Sequence, residues 1–322
     1  MTRSKGRRSR LPVFIASGFV TAAVLAALIL WVDWAAVRGV LRAVDPILLT
    51  GAVASALVLF VLRALRLREL LPPVDPERQS VLRYLRTTLL HQAVFVLAPS
   101  GSGDVVFPPI ARLQLGLPWR DAAAALFVAR SLDLVALIAA VLVAASAFWI
   151  GNLAGWLVGC VVAVLLLPAF QLSGRGGQWV ARKLLERRKG ARVAAQSAVP
   201  SMTAMAATIA SWCTACAMMG LVLAALGRPP GIAGSALLLV ALNVSGALAV
   251  FTFAGIGFSD IGFAGALLML GLDGGEAITL ALAARMLLLA LGAGLPLALD
   301  LLLAGAMGLL PRALPSARKR EP

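Results

Sequence analysis

Acidic residues and histidine are scarce in this sequence, and both shortages narrow what the chain can be. Of its 322 residues, 14 are Asp or Glu and 29 are Lys or Arg, and the single histidine is His91. Charged residues make up 13% of the chain and hydrophobic residues 61%, so there is too little polar surface to cover a globule in water. This balance excludes a soluble domain, and with it a nucleic-acid-binding role for the net charge of +15.

The signatures of several enzyme classes are also missing. The three cysteines, Cys160, Cys213 and Cys216, lie in apolar stretches and give no disulfide framework. The sequence contains neither a GxxxxGK[ST] phosphate-binding loop nor an HExxH zinc helix. Its acids stand singly rather than in the clusters by which membrane transferases hold a metal. We therefore expect no metal, no cofactor and no enzymatic activity.

Long apolar runs dominate what is present. A helix crosses a bilayer with ~20 apolar residues. The runs predict an all-α polytopic membrane protein with about eight transmembrane helices, at 11–32, 46–62, 121–149, 153–172, 199–226, 232–252, 276–294 and 296–310. The first run lacks a small-residue cleavage site and is expected to be an uncleaved anchor. The expected domain organisation is one transmembrane domain over 11–310 between basic tails at 1–10 and 311–322.

The basic residues fall on one side of this arrangement. They concentrate in the two tails and in the segments 63–86 and 173–198, whereas the other connections hold only Arg38, Arg42 and Arg228. By the positive-inside rule, both termini are predicted to be cytoplasmic. The basic loop 173–198 would then separate two halves, 11–172 and 199–310.

The segment 87–118 does not fit a single crossing, because both of its ends are expected on the cytoplasmic side. It holds two apolar pieces, Thr87–Ala98 and Val105–Leu117, joined by the turn Pro99–Asp104. Each piece is too short to span a bilayer. Irregular backbone at membrane depth survives only where it lines a cavity or is buried in protein. The pattern therefore predicts a re-entrant hairpin of two half-helices.

The same pattern recurs at an offset of about 155 residues. Leu115–Ala122 resembles Leu270–Ala277, and the following arginines, Arg130 and Arg285, fall in register. Upstream, the glycine turn that ends in Asp104 corresponds to the one that ends in Asp260, with a one-residue shift. We therefore predict an internal pseudo-repeat with a second re-entrant hairpin. Interrupted helices at equivalent places indicate a transporter binding site.

Charges placed inside spans are costly, by roughly 2.5–3.5 kcal/mol each on insertion scales, and mark candidate functional residues. The candidate substrate-binding residues are Arg130, Arg285, Arg112, Asp104, Asp260, Asp133, His91, Gly101, Gly103, Gly255 and Gly257. Two arginines at equivalent places would present guanidinium forks to a lipid phosphate, and the glycine turns would add backbone N–H groups.

Simpler interpretations of these residues stay open. Arg130 and Asp133, at i and i+3 on one helix, would pair with each other. Asp104 and Asp260 would serve as helix N-caps or as counter-ions for the arginines. His91 would be a hydrogen-bonded packing residue or a proton relay.

These motifs resemble a known family. The run Pro99–Asp104, followed by Arg112, Arg130 and Asp133, is similar to the transmembrane flippase-like region of the lysylphosphatidylglycerol synthases. The later block from Ala254–Gly257 to Arg285 resembles a second element of that family. Ala129 stands where many relatives have a glutamate before the arginine, and the aminoacyltransferase domain of the bifunctional members is absent. The resemblance implies a stand-alone protein of the bacterial inner membrane that binds or moves lipids without aminoacylating them.

The expected function is therefore transport of an anionic phospholipid, or of a modified or lipid-linked derivative, between leaflets. The expected partners are that lipid and the surrounding membrane lipids, with no nucleic acid and with any partner enzyme unknown. Two alternatives remain: a membrane-embedded lipid-modifying enzyme or accessory subunit of a lipid glycosyl or aminoacyl transferase, and a scaffold that transports nothing.

Overall fold

The chain folds into packed helices, seen here in a computed structural model. The structure describes residues 32–71, 80–98, 103–150, 201–248 and 254–307, with isolated positions between 18 and 30 and at 161. Ten α-helices lie in these ranges: α1 Trp34–Arg42, α2 Pro46–Leu70, α3 Val81–Leu97, α4 Phe107–Leu115, α5 Trp119–Ile150, α6 Met202–Ala225, α7 Gly231–Leu248, α8 Phe258–Met269, α9 Gly274–Leu289 and α10 Leu295–Ala306. The predicted tails, the span 153–172 and the basic loop 173–198 fall outside the described residues, apart from position 161.

The described helices confirm an all-α polytopic membrane protein. Within these ranges, four helical stretches are long and apolar enough to cross a membrane: Pro46–Leu70, Trp119–Ser146, Met202–Ala225 and Gly274–Ala306. The helices begin where the sequence supplies caps. Asp45 accepts hydrogen bonds from the N–H groups of Ile47 and Leu48, with Pro46 in the first turn, and Asp273 accepts from the N–H of Glu276.

Two predicted boundaries were wrong. The first half-helix, predicted at Thr87–Ala98, begins at Val81, and the span predicted at 46–62 continues to Leu70. In both places the hydropathy signal is broken by arginines, whereas the helix continues through them. Much of the segment 63–86 is therefore helix rather than cytoplasmic loop.

The predicted span 276–294 and the described part of the span 296–310 belong to one continuous helical stretch, Gly274–Ala306. A five-residue π-turn, Ala290–Gly294, joins α9 to α10. Pro296 lacks an N–H, and its ring would clash with the carbonyl of the residue four positions earlier in a regular helix. The wider π-turn accommodates the ring without ending the helix, and the N–H of Leu295 reaches the carbonyl of Ala290.

Helices α2 and α6 form the most extensive helix pair and run antiparallel. At one end the N–H of Asp45 donates to the carbonyl of Ala225 at 2.9 Å, and at the other the Ser201 hydroxyl donates to Glu69, also at 2.9 Å. We call these the 45–225 end and the 69–201 end. The starts of α5 and α6 and the last turn of α2 share one buried cluster at the 69–201 end.

Two helical hairpins pack against this pair. In the first, α3 is followed by a 3₁₀ turn, Gly103–Val106, and by α4. A Cβ at Gly103 would lie 2.6 Å from the Cα of Phe95, so the hairpin arms touch there without a side chain. In the second, α7 and α8 are antiparallel, because Gly262 faces Ser245 while Gly234 lies beside Leu270.

The second hairpin returns to the end from which it starts. Arg228, just before α7, forms an ion pair with Glu276 in the first turn of α9. Both residues lie near the end of α6, at the 45–225 end. The stretch from α9 to α10 then runs towards the 69–201 end, antiparallel to α3, since Val96 approaches Gly292 and Arg86 pairs with Asp300.

The second hairpin supplies a stability test. A Cβ at Gly262 would stand 2.4 Å from the Cβ of Ser245, so Gly262→Ala forces the two helices apart. We expect this change to lower the free energy of unfolding by about 1–3 kcal/mol, measured as a reduced thermal midpoint in detergent. Gly265→Ala on the same helix is the control, since nothing lies within 4 Å of its added Cβ. Equal midpoints for the two variants would contradict this packing.

Candidate functional site

A cluster of partly buried charges lies where α2, α3 and α5 meet. It contains three arginines and two aspartates: Arg63 and Arg66 on α2, Arg130 and Asp133 on α5, and Asp104 in the 3₁₀ turn. We call these five residues the arginine cluster. Four of them, all but Asp104, line a cavity of about 60 Å³, whose wall also includes His91 and Gln92 from α3. All but Asp104 lie on helices long and apolar enough to cross a membrane.

Arg130 donates two hydrogen bonds to Asp104. Its Nε donates to one carboxylate oxygen at 2.8 Å and its Nη2 to the other at 2.6 Å. This fork-to-fork geometry is the arrangement in which arginine binds carboxylates and phosphates most strongly. The guanidinium also lies over the ring of Phe95, 4.5 Å from its centroid, which adds a cation–π contact.

Asp133 is shared by three donors. Arg66 donates to both of its carboxylate oxygens, at 2.5 and 3.3 Å, and the Trp212 indole N–H donates to one of them at 3.3 Å. Arg130 also reaches Asp133, at 3.4 Å. The local pair predicted between Arg130 and Asp133 is thus present, but each residue has a closer ionic partner on another element.

Arg63 has a weaker partner than the other two arginines. It donates a hydrogen bond to the side-chain carbonyl of Gln92, a neutral group. Three guanidinium groups therefore face two carboxylates among the described residues of the cluster. Since unpaired charge is costly in a medium of low dielectric constant, this excess of positive charge favours an anionic ligand.

His91 lies beside Asp104 and is packed between aromatic rings. Its Nε2 is 3.4 Å from the Asp104 carboxylate, and its ring centroid is 5.0 Å from that of Phe107 in an edge-to-face contact. This environment is compatible with both readings of His91, as a packing residue and as a proton relay.

Arg285, on α9, occupies the corresponding place beside the second hairpin. Its Nη2 donates to the carbonyl of Ala254, and its Nε lies 3.6 Å from the Asp260 carboxylate. The Nε is buried and makes no hydrogen bond within the described residues. Asp260 also accepts a hydrogen bond from the Gly257 N–H at 2.9 Å and so caps α8. The predicted N-cap role was wrong, because the N-cap residues of α8 and α4 are Gly257 and Val106 rather than Asp260 and Asp104. Asp260 caps from the third position of α8, and it also lies near Arg285 as a counter-ion.

The glycines of the second hairpin allow the backbone to approach Arg285. Gly255 and Gly257 have φ values of 67° and 90°, which side chains other than glycine rarely adopt. A Cβ on Gly255 would lie 3.4 Å from Nη2 of Arg285 and 2.9 Å from the Ser259 hydroxyl.

Most of the predicted site residues are brought together as two groups, around Arg130 and around Arg285. Arg112 is the exception, since its side chain is exposed in the last turn of α4 and does not line the cavity. It was grouped with the site because it follows the first hairpin turn, but its position on α4 turns it outward. Gly101 lies outside the described residues.

Sequence reasoning missed Arg63, Arg66 and Gln92. The two arginines stand at i and i+3 after an apolar run and were assigned to a cytoplasmic loop. The one available signal was their spacing, which places both on one face of a helix if α2 continues. A fourth arginine, Arg86, pairs with Asp300 through Nε at 2.8 Å, apart from the arginine cluster.

Comparison with known protein families yields a match. The family model described as "Lysylphosphatidylglycerol synthase TM region" matches residues 14–295, which include every residue of the arginine cluster and Arg285. No curated protein and no solved structure matches the chain.

Proposed function

Since the chain belongs to the lysylphosphatidylglycerol synthase transmembrane family, we propose that it is a flippase-like lipid transporter rather than an enzyme. Its substrate would be an anionic phospholipid, or a modified or lipid-linked derivative, moved between the leaflets of the bacterial inner membrane. The single observation that carries the proposal is the arginine cluster, in which three arginines face two aspartates among membrane-spanning helices.

A phosphodiester fits the excess charge of this cluster. Phosphate accepts the same paired hydrogen bonds from a guanidinium as a carboxylate does. Asp104 then acts as the internal stand-in for the ligand, holding Arg130 in place when no lipid is bound. Arg63 is hydrogen-bonded to the neutral Gln92. Moving to a phosphate would therefore cost Arg63 a weaker interaction than it would cost the other two arginines.

The cavity in the cluster is small in this structure. Its volume of about 60 Å³ is about that of two water molecules in the liquid, which is smaller than a phospholipid headgroup. Binding therefore requires the first hairpin to move. Because Asp104 lies in that hairpin and Arg130 does not, release of the Asp104–Arg130 pair would open the cavity and free the guanidinium at the same time.

The proposed topology has two re-entrant hairpins that enter from opposite sides. Helix α8, with 12 residues, is ~18 Å long, well short of the ~30 Å hydrocarbon core. The first hairpin lies between α2 and α5 at the 69–201 end, and the second starts and returns at the 45–225 end. The two halves of the repeat would then have inverted topology, with both chain termini cytoplasmic.

The two arginines support this symmetry. Arg130 and Arg285 each stand eleven residues after the first residue of their helix, which is ~16 Å along the axis. Since the two helices start at opposite ends, both side chains would lie near the middle of a ~30 Å core. Substrate sites at the midplane between inverted repeats are common in transporters.

Accessibility of single cysteines tests the topology. In a chain with Cys160, Cys213 and Cys216 changed to alanine, we expect Ala43→Cys and Gly274→Cys to react with an impermeant maleimide from the periplasm. Ser80→Cys should react only after the membrane is opened. The three positions are exposed. If Gly274→Cys is labelled together with Ser80→Cys, the inverted arrangement is wrong.

Reconstitution tests the function. Proteoliposomes containing the purified chain are expected to move a phospholipid with an anionic, fluorescently labelled headgroup at least about tenfold faster than a zwitterionic one, because only the former matches the positive charge of the cluster. Bleaching of outer-leaflet fluorophore by dithionite measures the movement. Protein-free liposomes are the control. Equal rates for the two lipids would refute selection by the arginine cluster, and no movement of either would refute the transport function.

A further inference from the structure

A second, larger cavity lies between α5, α6 and α7. It has a volume of about 660 Å³, within the range of small-molecule sites. Its wall includes Ala136, Ala140 and Val143 from α5, and Trp212 and Ala217 from α6. The space exists because small side chains face it from both helices, whereas larger ones would fill it.

Among the described residues, the wall is almost wholly apolar. The Ser235 hydroxyl, on α7, is taken by the carbonyl of Gly231 at 2.6 Å. The thiol of Cys216 points at the carbonyl of Ile232, 3.9 Å away. The occupant must therefore be apolar along its length.

This cavity adjoins the arginine cluster along one face of α5. Arg130 and Asp133 belong to the cluster, and Ala136, Ala140 and Val143 line the second cavity. Successive members of this series are three or four residues apart, so they form one continuous stripe on the helix. The stripe is charged at one end and apolar at the other, like a phospholipid.

Trp212 forms the boundary between the two cavities. Its indole N–H donates to Asp133 of the cluster at 3.3 Å, while the residue also lines the apolar cavity. At the rim, Ile209 and Ile232 are 40% and 66% exposed, so the cavity opens sideways rather than being enclosed in the bundle.

We infer that this cavity holds one acyl chain of the lipid whose phosphate binds the arginine cluster, which makes it a site for chain length. The inference rests on the proposed function, because it takes the phosphate site from there. An acyl chain gains no hydrophobic free energy on leaving the bilayer, since lipid tails are as apolar as the wall. The cavity therefore acts through shape and van der Waals contact, and discriminates between chains that fill it to different depths.

Filling the cavity tests the inference. Ala140→Phe and Ala217→Phe each place a ring in it from a different helix, and Ala145→Phe, at an exposed position of α5 that does not line it, is the matched control. The substrates are two lipids with the same anionic, headgroup-labelled phosphodiester and with acyl chains of 18 or 12 carbons. Transport into dithionite-protected leaflets is measured in proteoliposomes with equal amounts of folded protein.

We expect both cavity variants to slow the 18-carbon lipid at least about fivefold more than the 12-carbon lipid, and Ala145→Phe to leave the ratio at the parental value. An equal loss for both lipids, or no loss for either, would overturn the inference. In that case the proposed function still stands if the parent transports the labelled lipid.

A second measurement decides the inference if the parent transports neither lipid. A phospholipid with a diazirine in its acyl chain is irradiated with the parent chain in bilayers, and the adducts are mapped by mass spectrometry. Adducts between 136 and 143 and between 209 and 221 that disappear in Ala217→Phe and persist in Ala145→Phe support the site. If Ala217→Phe leaves the adducts unchanged, the adducts come only from lipid that surrounds the protein. If no adducts form, another part of the chain covers the cavity. Both of these results overturn the inference.

Discussion

Replacing Arg130 by lysine is expected to lower the rate of anionic lipid transport by about 10- to 100-fold. That range corresponds to the ~1.5–3 kcal/mol that a hydrogen bond to a charged group contributes. Arg130 donates to both carboxylate oxygens of Asp104 and lies over the Phe95 ring. A lysine supplies a point charge in place of this planar fork, so it can pair with Asp104 but cannot present a second donor in the same plane to a phosphate. The measurement is the initial transport rate in proteoliposomes.

The control for this prediction is Arg68→Lys, at an exposed arginine of α2, which should keep the parental rate. The amount of folded protein should be similar in all variants, because lysine keeps the charge that Asp104 needs. If Arg130 serves only to neutralise Asp104, the double variant Arg130→Met, Asp104→Asn should transport at the parental rate. That outcome would remove Arg130 from the binding site.

Arg285 is expected to behave in the same way, with a smaller effect on stability. It has no acid three or four positions away on its own helix, and its pairing with Asp260 is a longer contact of 3.6 Å. Arg285→Lys should therefore slow transport while changing the thermal midpoint little. A parental rate in Arg285→Lys would restrict the phosphate site to the first hairpin.

Breaking the Arg86–Asp300 pair is expected to have the largest effect on stability. Both side chains are 8% exposed, and the Nε–Oδ1 distance is 2.8 Å. Removing one partner leaves the other charge buried and unpaired, which costs about 3–5 kcal/mol. Arg86→Met and Asp300→Leu should each lower the folded yield and the thermal midpoint in detergent. The double variant should recover most of the loss, because no unpaired charge remains.

An exposed ion pair provides the comparison. Arg228 and Glu276 are 59% and 33% exposed, and exposed pairs contribute roughly 0–1 kcal/mol. Glu276→Gln should therefore change the thermal midpoint little. If Asp300→Leu is as mild as Glu276→Gln, then Arg86 has another partner or reaches water in the membrane.

The sequence predicted the fold class, the family and the two groups around Arg130 and Arg285. These predictions depended on local signals: apolar run length, glycine turns and an offset that placed two arginines in register. The glycine turns contain Asp104 and Asp260, and the structure brings these acids beside Arg130 and Arg285. The local pairing of Arg130 with Asp133 was also present, although Asp104 proved the closer partner.

The sequence could not indicate whether arginines at the ends of apolar runs begin a loop or continue the helix and pair with another helix. Hydropathy treats Arg63 and Arg66 as the start of a loop, because it counts charge without knowing whether a partner will cover it. Their partners, Gln92 and Asp133, lie on other helices, and nothing local in α2 indicates them. The positive-inside count was therefore made partly with residues that face the interior.

The long separation of these ion partners has a consequence for biosynthesis. Arg86 precedes Asp300 by 214 positions, which at a typical 5–20 residues per second means roughly 10–40 s of translation. During that interval α3 carries a charge whose partner has not yet been made, and a bare arginine at membrane depth is unfavourable by several kcal/mol. On the proposed topology, we therefore expect that the first hairpin does not reach its final depth as it leaves the ribosome. On the proposed topology, we expect its insertion to be completed only when α10 arrives beside it.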